Sequence, residues 1–338
     1  MTSPRISVAL SVHNNAAYLA AALDSLLAQS FHDFELLLVD DGSTDDSPRI
    51  IDRYAALDCR IRVLRQPNRG LIASLNRIIA AARGDYIARM DGDDIALPER
   101  FARQLAFLDA HPDHGVVGTQ IQGITETGAP RRDHRVVHPT DHAELAEALA
   151  SRSPLCHPSV MMRRDLLQAV GGYRPAYRHC EDYDLWLRLV DRTRMANLPD
   201  RLMLYRYSTT QVSTRHILTQ HLGASVARLA RAERLAGRPD PTEGWDALPP
   251  IETMDAAFGR PGVAARIRAD VTRGILYAPD ALAGDGAALI VAHLDDVRRG
   301  QVPPVAGLWR AVARLVRHHR PAAGIRLAAA LARHGVRR

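Results

Sequence analysis

Through the first hundred residues, short apolar runs alternate with stretches that repeat their hydrophobic positions at helical spacing, the pattern of a parallel sheet covered by helices. Ile6–Val12 predicts a first strand and Tyr18–Gln29 the helix after it. Phe34–Val39 is almost continuously apolar, as a strand buried on both faces must be, and it stops at Asp40-Asp41-Gly42-Ser43. A helix over 46–56, a strand over 61–64 and a helix over 71–82 follow. Asp85–Arg89 then runs as a strand into Met90-Asp91-Gly92-Asp93-Asp94. In open α/β sheets ligands bind beyond the carboxyl ends of the strands, so the two acidic loops are expected to border one crevice.

From Pro98 the pattern turns mixed. Helices are expected to about Ala110, over 141–150 and over 181–191, and strands over 116–123, 159–162 and 202–207, with a turn near Thr127–Pro130. Beyond residue 213 the chain changes character, with Ala-, Leu- and Arg-rich helical stretches broken at Gly237–Pro241, Pro249-Pro250 and Pro303-Pro304. The expected organisation is therefore a domain over 1–213, whose pattern changes near residue 97, and a helical region over 214–338.

Composition narrows the classes. No apolar run is long enough to span a bilayer, and Met1–Ser11 lacks the basic-then-apolar signature of a secretory leader, so a cytoplasmic location is expected. Cys59, Cys156 and Cys180 are isolated, which argues against a disulfide framework or zinc site. The net charge of +6 is a tail property: residues 301–338 hold eight arginines and no acid. That speaks against nucleic acid as the partner. There is no lysine, so Schiff-base chemistry and a Walker-type phosphate loop are excluded.

The carboxylates Asp91, Asp93 and Asp94 repel one another, and a fold keeps them together most readily around a cation. Mg²⁺ or Mn²⁺, completed by diphosphate oxygens and water, suits such a site. An acidic surface turn before Pro98 is the alternative reading of the same residues.

Four segments occur in a fixed order: Ser7–Asn14, Val39–Asp45, Arg89–Asp94 and Glu181–Arg188. Together they resemble the family 2 glycosyltransferases, inverting enzymes of the GT-A fold, over roughly residues 4–213. The resemblance implies an α/β GT-A domain, with a nucleotide-binding half over about 1–97 and an acceptor-binding half over 98–213, that moves a sugar from a nucleoside-diphosphate donor, uridine or thymidine favoured, to a glycan or lipid-linked acceptor hydroxyl. It further implies that Ser11, His13, Asn14, Asp40 and Asp41 surround the base and ribose, with Asp41 on the base. Arg69 either reaches the phosphates or stands in solvent. Asp93 becomes the direct metal ligand, and Asp91 faces ribose or metal. Asp182 becomes the general base, with Glu181, His157 and Trp186 toward the acceptor, although Trp186 also reads as helix core. One departure stands out: the family often carries Tyr-Arg-x-His where this chain has Tyr205-Arg206-Tyr207-Ser208, so a water, or His216 after a loop shift, takes the place of the imidazole. Ser213 fits the same pattern. Nucleotidyl transfer and non-catalytic nucleotide-sugar binding are the competing readings.

In the tail, Leu308, Val312, Leu315 and Val316 fall on one helical face and Arg310, Arg314 and Arg317 on the other; Leu327 and Leu331 likewise oppose Arg326 and Arg333. Such basic amphipathic helices either lie on an anionic membrane surface or pack as a hairpin on the rest of the protein or on a second subunit, with arginines in solvent.

Overall fold

A computed structural model describes residues 3–133, 136–208 and 216–336. The chain divides into two compact units, one of residues 1–175 and 181–209 and one of residues 176–180 and 210–338. The boundary expected near residue 214, and Ser213 with it, lies outside the described residues.

In the first unit, β1 (Ile6–Val12), α1 (Ala16–Leu27), β2 (Phe34–Asp41), α2 (Ser47–Leu57), β3 (Ile61–Gln66), α3 (Leu71–Ala81) and β4 (Tyr86–Asp91) form a wound α/β half. Every residue of β2 and all but one of β1 are buried. These apolar strands are covered on both faces, which is why they carry no polar alternation. The second half adds β5 (Ile95–Ala96), α4 (Arg100–Ala110), β6 (His114–Ile124), α5 (His142–Ala148), β7 (Met161–Arg163), α6 (Arg164–Ala169), α7 (Glu181–Leu189) and β8 (Arg194–Arg206).

All eight strands share one sheet in the order β3-β2-β1-β4-β7-β6-β8-β5. Its pairs are parallel except β4–β7, β6–β7 and β5–β8. The sheet grows outward from β1 to β3 and then resumes at β4 on the other side of β1. That reversal makes a topological switch point at the carboxyl ends of β1 and β4, where open α/β sheets bind ligands. There Ser11 pairs with Asp91 and Val12 with Asp40, so both acidic loops leave the same edge of the sheet.

β8 is much longer than the strand expected over 202–207. Its Leu198 pairs with Thr119 and its Arg201 with Gln120, so Pro199 and Asp200 are extruded as a bulge. Pro-Asp reads as a strand breaker in sequence, whereas a bulge tolerates the missing donor and lets pairing continue on both sides. The helix over 164–169 was not expected, being too short for a helical period to register.

The second unit is helical, with helices Ile217–Leu235, Val263–Ile275, Gly286–Arg298, Leu308–Arg317 and Pro321–Arg333 among its elements. Among the described residues no helix is long and apolar enough to cross a membrane.

Candidate active site

At the carboxyl end of β1 the chain turns through Asn14, which takes a positive φ of 51°. The His13–Ala16 turn is laced to the loop after β2. Asn14 N–H donates to Ser43 Oγ at 3.1 Å, Thr44 N–H to Asn14 Oδ1 at 2.7 Å, and Asn15 N–H to Ser47 Oγ at 2.9 Å. His13 Nδ1 lies 2.9 Å from the carbonyl oxygen of Asp41, which can only accept, so Nδ1 carries the proton. Nε2 then accepts from the Asn68 amide at 3.1 Å. Asp40 Oδ1 accepts from Ser43 N–H at 3.1 Å. Gly42 must be glycine: its φ is +70°, and a Cβ there would stand 2.6 Å from Asn68 N.

Asp41 is 2% exposed, and its carboxylate is largely spoken for. Oδ1 accepts from Gln66 Nε2 at 2.7 Å and Arg69 N–H at 2.8 Å, and Oδ2 from Gly70 N–H at 2.8 Å. The residue expected on the base thus pins the loop that starts α3. The Arg69 side chain is exposed.

At the end of β4, one ligand oxygen from each of Asp91, Asp93 and Asp94 lies within 4.8 Å of the others. Burial, then the charge of Asp91, pushes Asp93 up to about 6. Burial, then Asp91 and Asp93, also raise Asp94 well above the usual carboxylate range. Asp94 Oδ1 accepts from Arg206 N–H at 2.8 Å, while Oδ2 is buried without a hydrogen-bond partner. Asp91 is held on both oxygens by Arg89, at 2.6 Å each. The cluster therefore fits a hard cation. Two carboxyls are destabilised as anions by burial and then by neighbouring carboxylates, and one of them keeps a buried oxygen without a hydrogen-bond partner. Asp94, which the resemblance left out of the ligand set, belongs to the cluster. No histidine joins it among the described residues, and His216 instead stacks on His179 with ring centroids 3.9 Å apart.

Glu181 and Asp182 open α7. Burial and then Asp182 lift Glu181 to about 7; burial also raises Asp182, opposed by the Tyr183 N–H and by Arg89. His157 is held well below its ordinary range by burial and Arg89, so its imidazole is neutral. It meets Tyr173 Oη at 2.8 Å through Nε2. Tyr173 is fixed through its backbone by Asn76, which donates to its carbonyl at 2.7 Å and accepts from its N–H at 2.8 Å. Trp186 has no exposed surface and meets His157 edge to face. An acceptor platform needs an open ring face, so Trp186 is corrected to core, with Leu185 and Leu189.

Two arginines organise this region, and sequence reasoning gave neither a role. Arg89 is 3% exposed, and its charge acts on Asp91, Asp93 and Asp94 and also on Glu181, Asp182, His157 and Tyr173. Arg100, fully buried, donates to the carbonyl of Arg89 at 2.6 Å. Burial pulls it down to about 9, still charged at neutral pH, and its charge is felt at Asp94. The metal-type cluster and the Glu181-Asp182 pair thus share one buried guanidinium. Asp41 lies on the same sheet edge, two strands from β4, or roughly 10 Å at ordinary strand spacing.

Residues 7–171 match the model of the family described as glycosyl transferase family 2. A relative in Bacillus subtilis (strain 168) that carries the glycosyltransferase name EpsE is 38% identical over 210 residues, 61% of this chain and 74% of that protein. The O-antigen biosynthesis glycosyltransferase WbnJ of Escherichia coli is 31% identical over 205 residues, 60% and 79% of the two chains. Among solved structures, S. aureus TarS 1-349 with UDP-GlcNAc superposes with a TM-score of 0.55 at 18% identity, covering 89% of this chain and 93% of that one. Mannosyltransferase PcManGT from Pyrobaculum calidifontis, with GDP-Man and Mn²⁺, does so with a TM-score of 0.54 at 17% identity, covering 97% and 87%. At these identities the structural likeness speaks for the fold, which is GT-A as expected.

Proposed function

Because this chain belongs to the family 2 glycosyltransferases, and is therefore a transferase enzyme, we propose that it moves a sugar from a nucleoside-diphosphate donor to an acceptor hydroxyl in one inverting displacement that depends on Mg²⁺ or Mn²⁺. The observation that carries the reading is the pairing of the Asp91-Asp93-Asp94 cluster with Glu181-Asp182 around Arg89. Asp93 and Asp94 would hold the cation, with Asp91 fixed beside them by Arg89. When bound, it supplies positive charge against the diphosphate as that group departs.

Asp182 is the proposed general base. As the acceptor oxygen bonds to the anomeric carbon, the bond from that carbon to the diphosphate oxygen breaks, and the hydroxyl proton passes to Asp182. Its raised proton affinity, caused by burial, moves it toward the range useful for this transfer at neutral pH. Neutral His157 and Tyr173 form a polar pair toward the acceptor side. A uridine or thymidine carrier is proposed: a carboxylate has about four acceptor sites, and the three bonds within Asp41's loop leave one for an imide N–H. TarS was solved with UDP-GlcNAc. Relatives named for O-antigen and amylovoran biosynthesis support a role in polysaccharide assembly, with a glycan or lipid-linked acceptor.

The test incubates the protein with a panel of nucleotide sugars and Mn²⁺ and measures nucleoside diphosphate release with and without acceptor extracts. Acceptor-stimulated release lowered about 10²–10⁴-fold by Asp182→Asn, with donor binding kept, is expected. Full turnover in Asp182→Asn, or equal turnover in a chelator, would remove the proposed base or the proposed metal.

A further inference from the structure

The C-terminal helices resolve the two readings of the tail into parts. Leu308, Ala311 and Leu315 on one helix, and Leu327 and Leu331 on the other, are at most 2% exposed, so the hairpin spends its leucines inside its own unit. What remains outward is basic. Arg310, Ala313, Arg314, Arg317 and His318 line one open concavity of about 370 Å³. Arg314 lies over the ring of Tyr277, 4.6 Å from its centroid, and that tyrosine is 59% exposed.

Two large apolar side chains share this exposure. Val316, expected on the buried face, is 54% exposed, and Ile325 is 69% exposed. They belong to one patch, because Gly324, next to Ile325, packs against Val316: a Cβ on it would stand 3.2 Å from Val316 Cγ2. Arg317, beside Val316, continues the patch into the concavity.

We propose that this face docks on an anionic phospholipid bilayer, with Arg310, Arg314 and Arg317 meeting lipid headgroups and Val316 and Ile325 entering the interface beneath them. Charge complementarity selects the partner. Residues 301–338 contain no acid, and Asp280 and Asp295 beside the hairpin are already paired with Arg320 and His334. A second copy would set arginine against arginine and be repelled. A soluble polyanion would satisfy the arginines but gain nothing from exposed valine and isoleucine. An interfacial layer takes both kinds of side chain, charge at the headgroups and apolar groups just below. The inference is independent of the donor chemistry, since none of these residues belongs to the carboxylate site.

Flotation of the full-length protein with phosphatidylcholine vesicles, with and without about one third phosphatidylglycerol, tests it. Wild type should float with the anionic vesicles only. Each arginine near such a surface is worth roughly fivefold in partition, so Arg310→Ala/Arg314→Ala/Arg317→Ala should weaken it on the order of a hundredfold. Val316→Ser/Ile325→Ser should weaken it several-fold even at low salt. Both variants should keep wild-type circular dichroism; Val316 and Ile325 are exposed, so their variant should keep the thermal midpoint too, while the arginine variant loses the half-buried Arg314's contact over Tyr277 and its 3.3 Å bond to the Tyr277 carbonyl and should fall by only a few degrees. Absence of wild-type flotation, equal flotation on the two vesicle types, or an unaffected arginine variant would overturn the proposal. So would undiminished flotation of the Val316/Ile325 variant, which would assign the face to a soluble polyanion.

Discussion

Replacing Asp41 with asparagine separates two things its carboxylate can do. In the structure Oδ1 takes the Gln66 amide and the Arg69 N–H, and Oδ2 takes the Gly70 N–H. Asparagine keeps one acceptor oxygen. Turned the better way, it preserves the first two bonds but presents its NH₂ to the Gly70 N–H, donor against donor. Bonds to a charged acceptor are worth about 1.5–3 kcal/mol and neutral ones about 0.5–1.5, so the two survivors each lose on the order of 1 kcal/mol. The third is lost outright, leaving a donor without a partner at about 1–3 kcal/mol. Relief from burying a carboxylate offsets part of this, and a net loss of about 2–4 kcal/mol remains. For a unit of this size that is a fall in the thermal midpoint of roughly 5–15 °C. Calorimetry of Asp41→Asn against wild type, with UDP titrated into both well below their midpoints, reads stability and binding separately. A midpoint unchanged within about 1 °C, together with lost UDP binding, would refute the reasoning. Asp41 would then be a nucleotide ligand with no structural duty in the loop before α3.

Other consequences are briefer to state. Glu181 sits at about 7 in the fold against an ordinary 4.5, so the native state holds a proton that the unfolded chain has released. Stability from this group is full below pH 4.5 and declines as pH rises through 7, by about 3 kcal/mol in all; urea unfolding of Glu181→Gln should show that slope removed. Asp93, raised to about 6, competes for protons with any cation at the cluster. The stabilisation of the protein by Mn²⁺ in thermal shift should therefore be small below pH 5, grow through pH 6, and vanish in Asp93→Asn. Gly42→Ala puts a Cβ 2.6 Å from Asn68 N at a φ of +70°, so a loss of about 2 kcal/mol or more in chemical denaturation is expected; wild-type stability would mean that the two loops can separate freely.

How far the sequence reached follows from what kind of information each feature carries. Strand ends were legible to within two residues, because burial demands an apolar run that acidic residues then interrupt visibly; β2 and β4 in fact continue through Asp41 and Asp91, past the ends expected at Val39 and Arg89. Pairing between distant residues leaves no such mark. Asn76 fixes Tyr173 across 97 positions, and Asp41 pins a loop 28 and 29 residues further on; neither has a periodicity to read. The extruded Pro199-Asp200 misled for a local reason, since breakers in a strand and breakers in a bulge have the same spelling.

Arg89 is the instructive intermediate case. In Tyr86-Ile87-Ala88-Arg89-Met90 a cation interrupts a short apolar strand, and Asp91, assigned in sequence to the loop, continues that strand and projects to the same side two positions on. An arginine and an aspartate two apart in an apolar strand are the available signal for the buried ion pair that the structure shows. Arg100 had no such signal, because an arginine on an amphipathic helix reads as solvated. With no lysine in the chain, Arg89 and Arg100, like the other buried cations, are guanidiniums, which keep their charge where an ammonium would give it up. Their effect is uneven. Arg89 spends two bonds on Asp91 and shares the rest of its field among Glu181, Asp182, Asp93 and Asp94, and that residual field does not offset burial and the neighbouring carboxylates, so Asp93, Asp94 and Glu181 keep raised proton affinities. Carboxyls already neutralised by their own arginines would ionise normally and would have no call on an external charge. These are left short of one, which is the physical reason for proposing a cation at the end of β4 rather than an inert acidic turn.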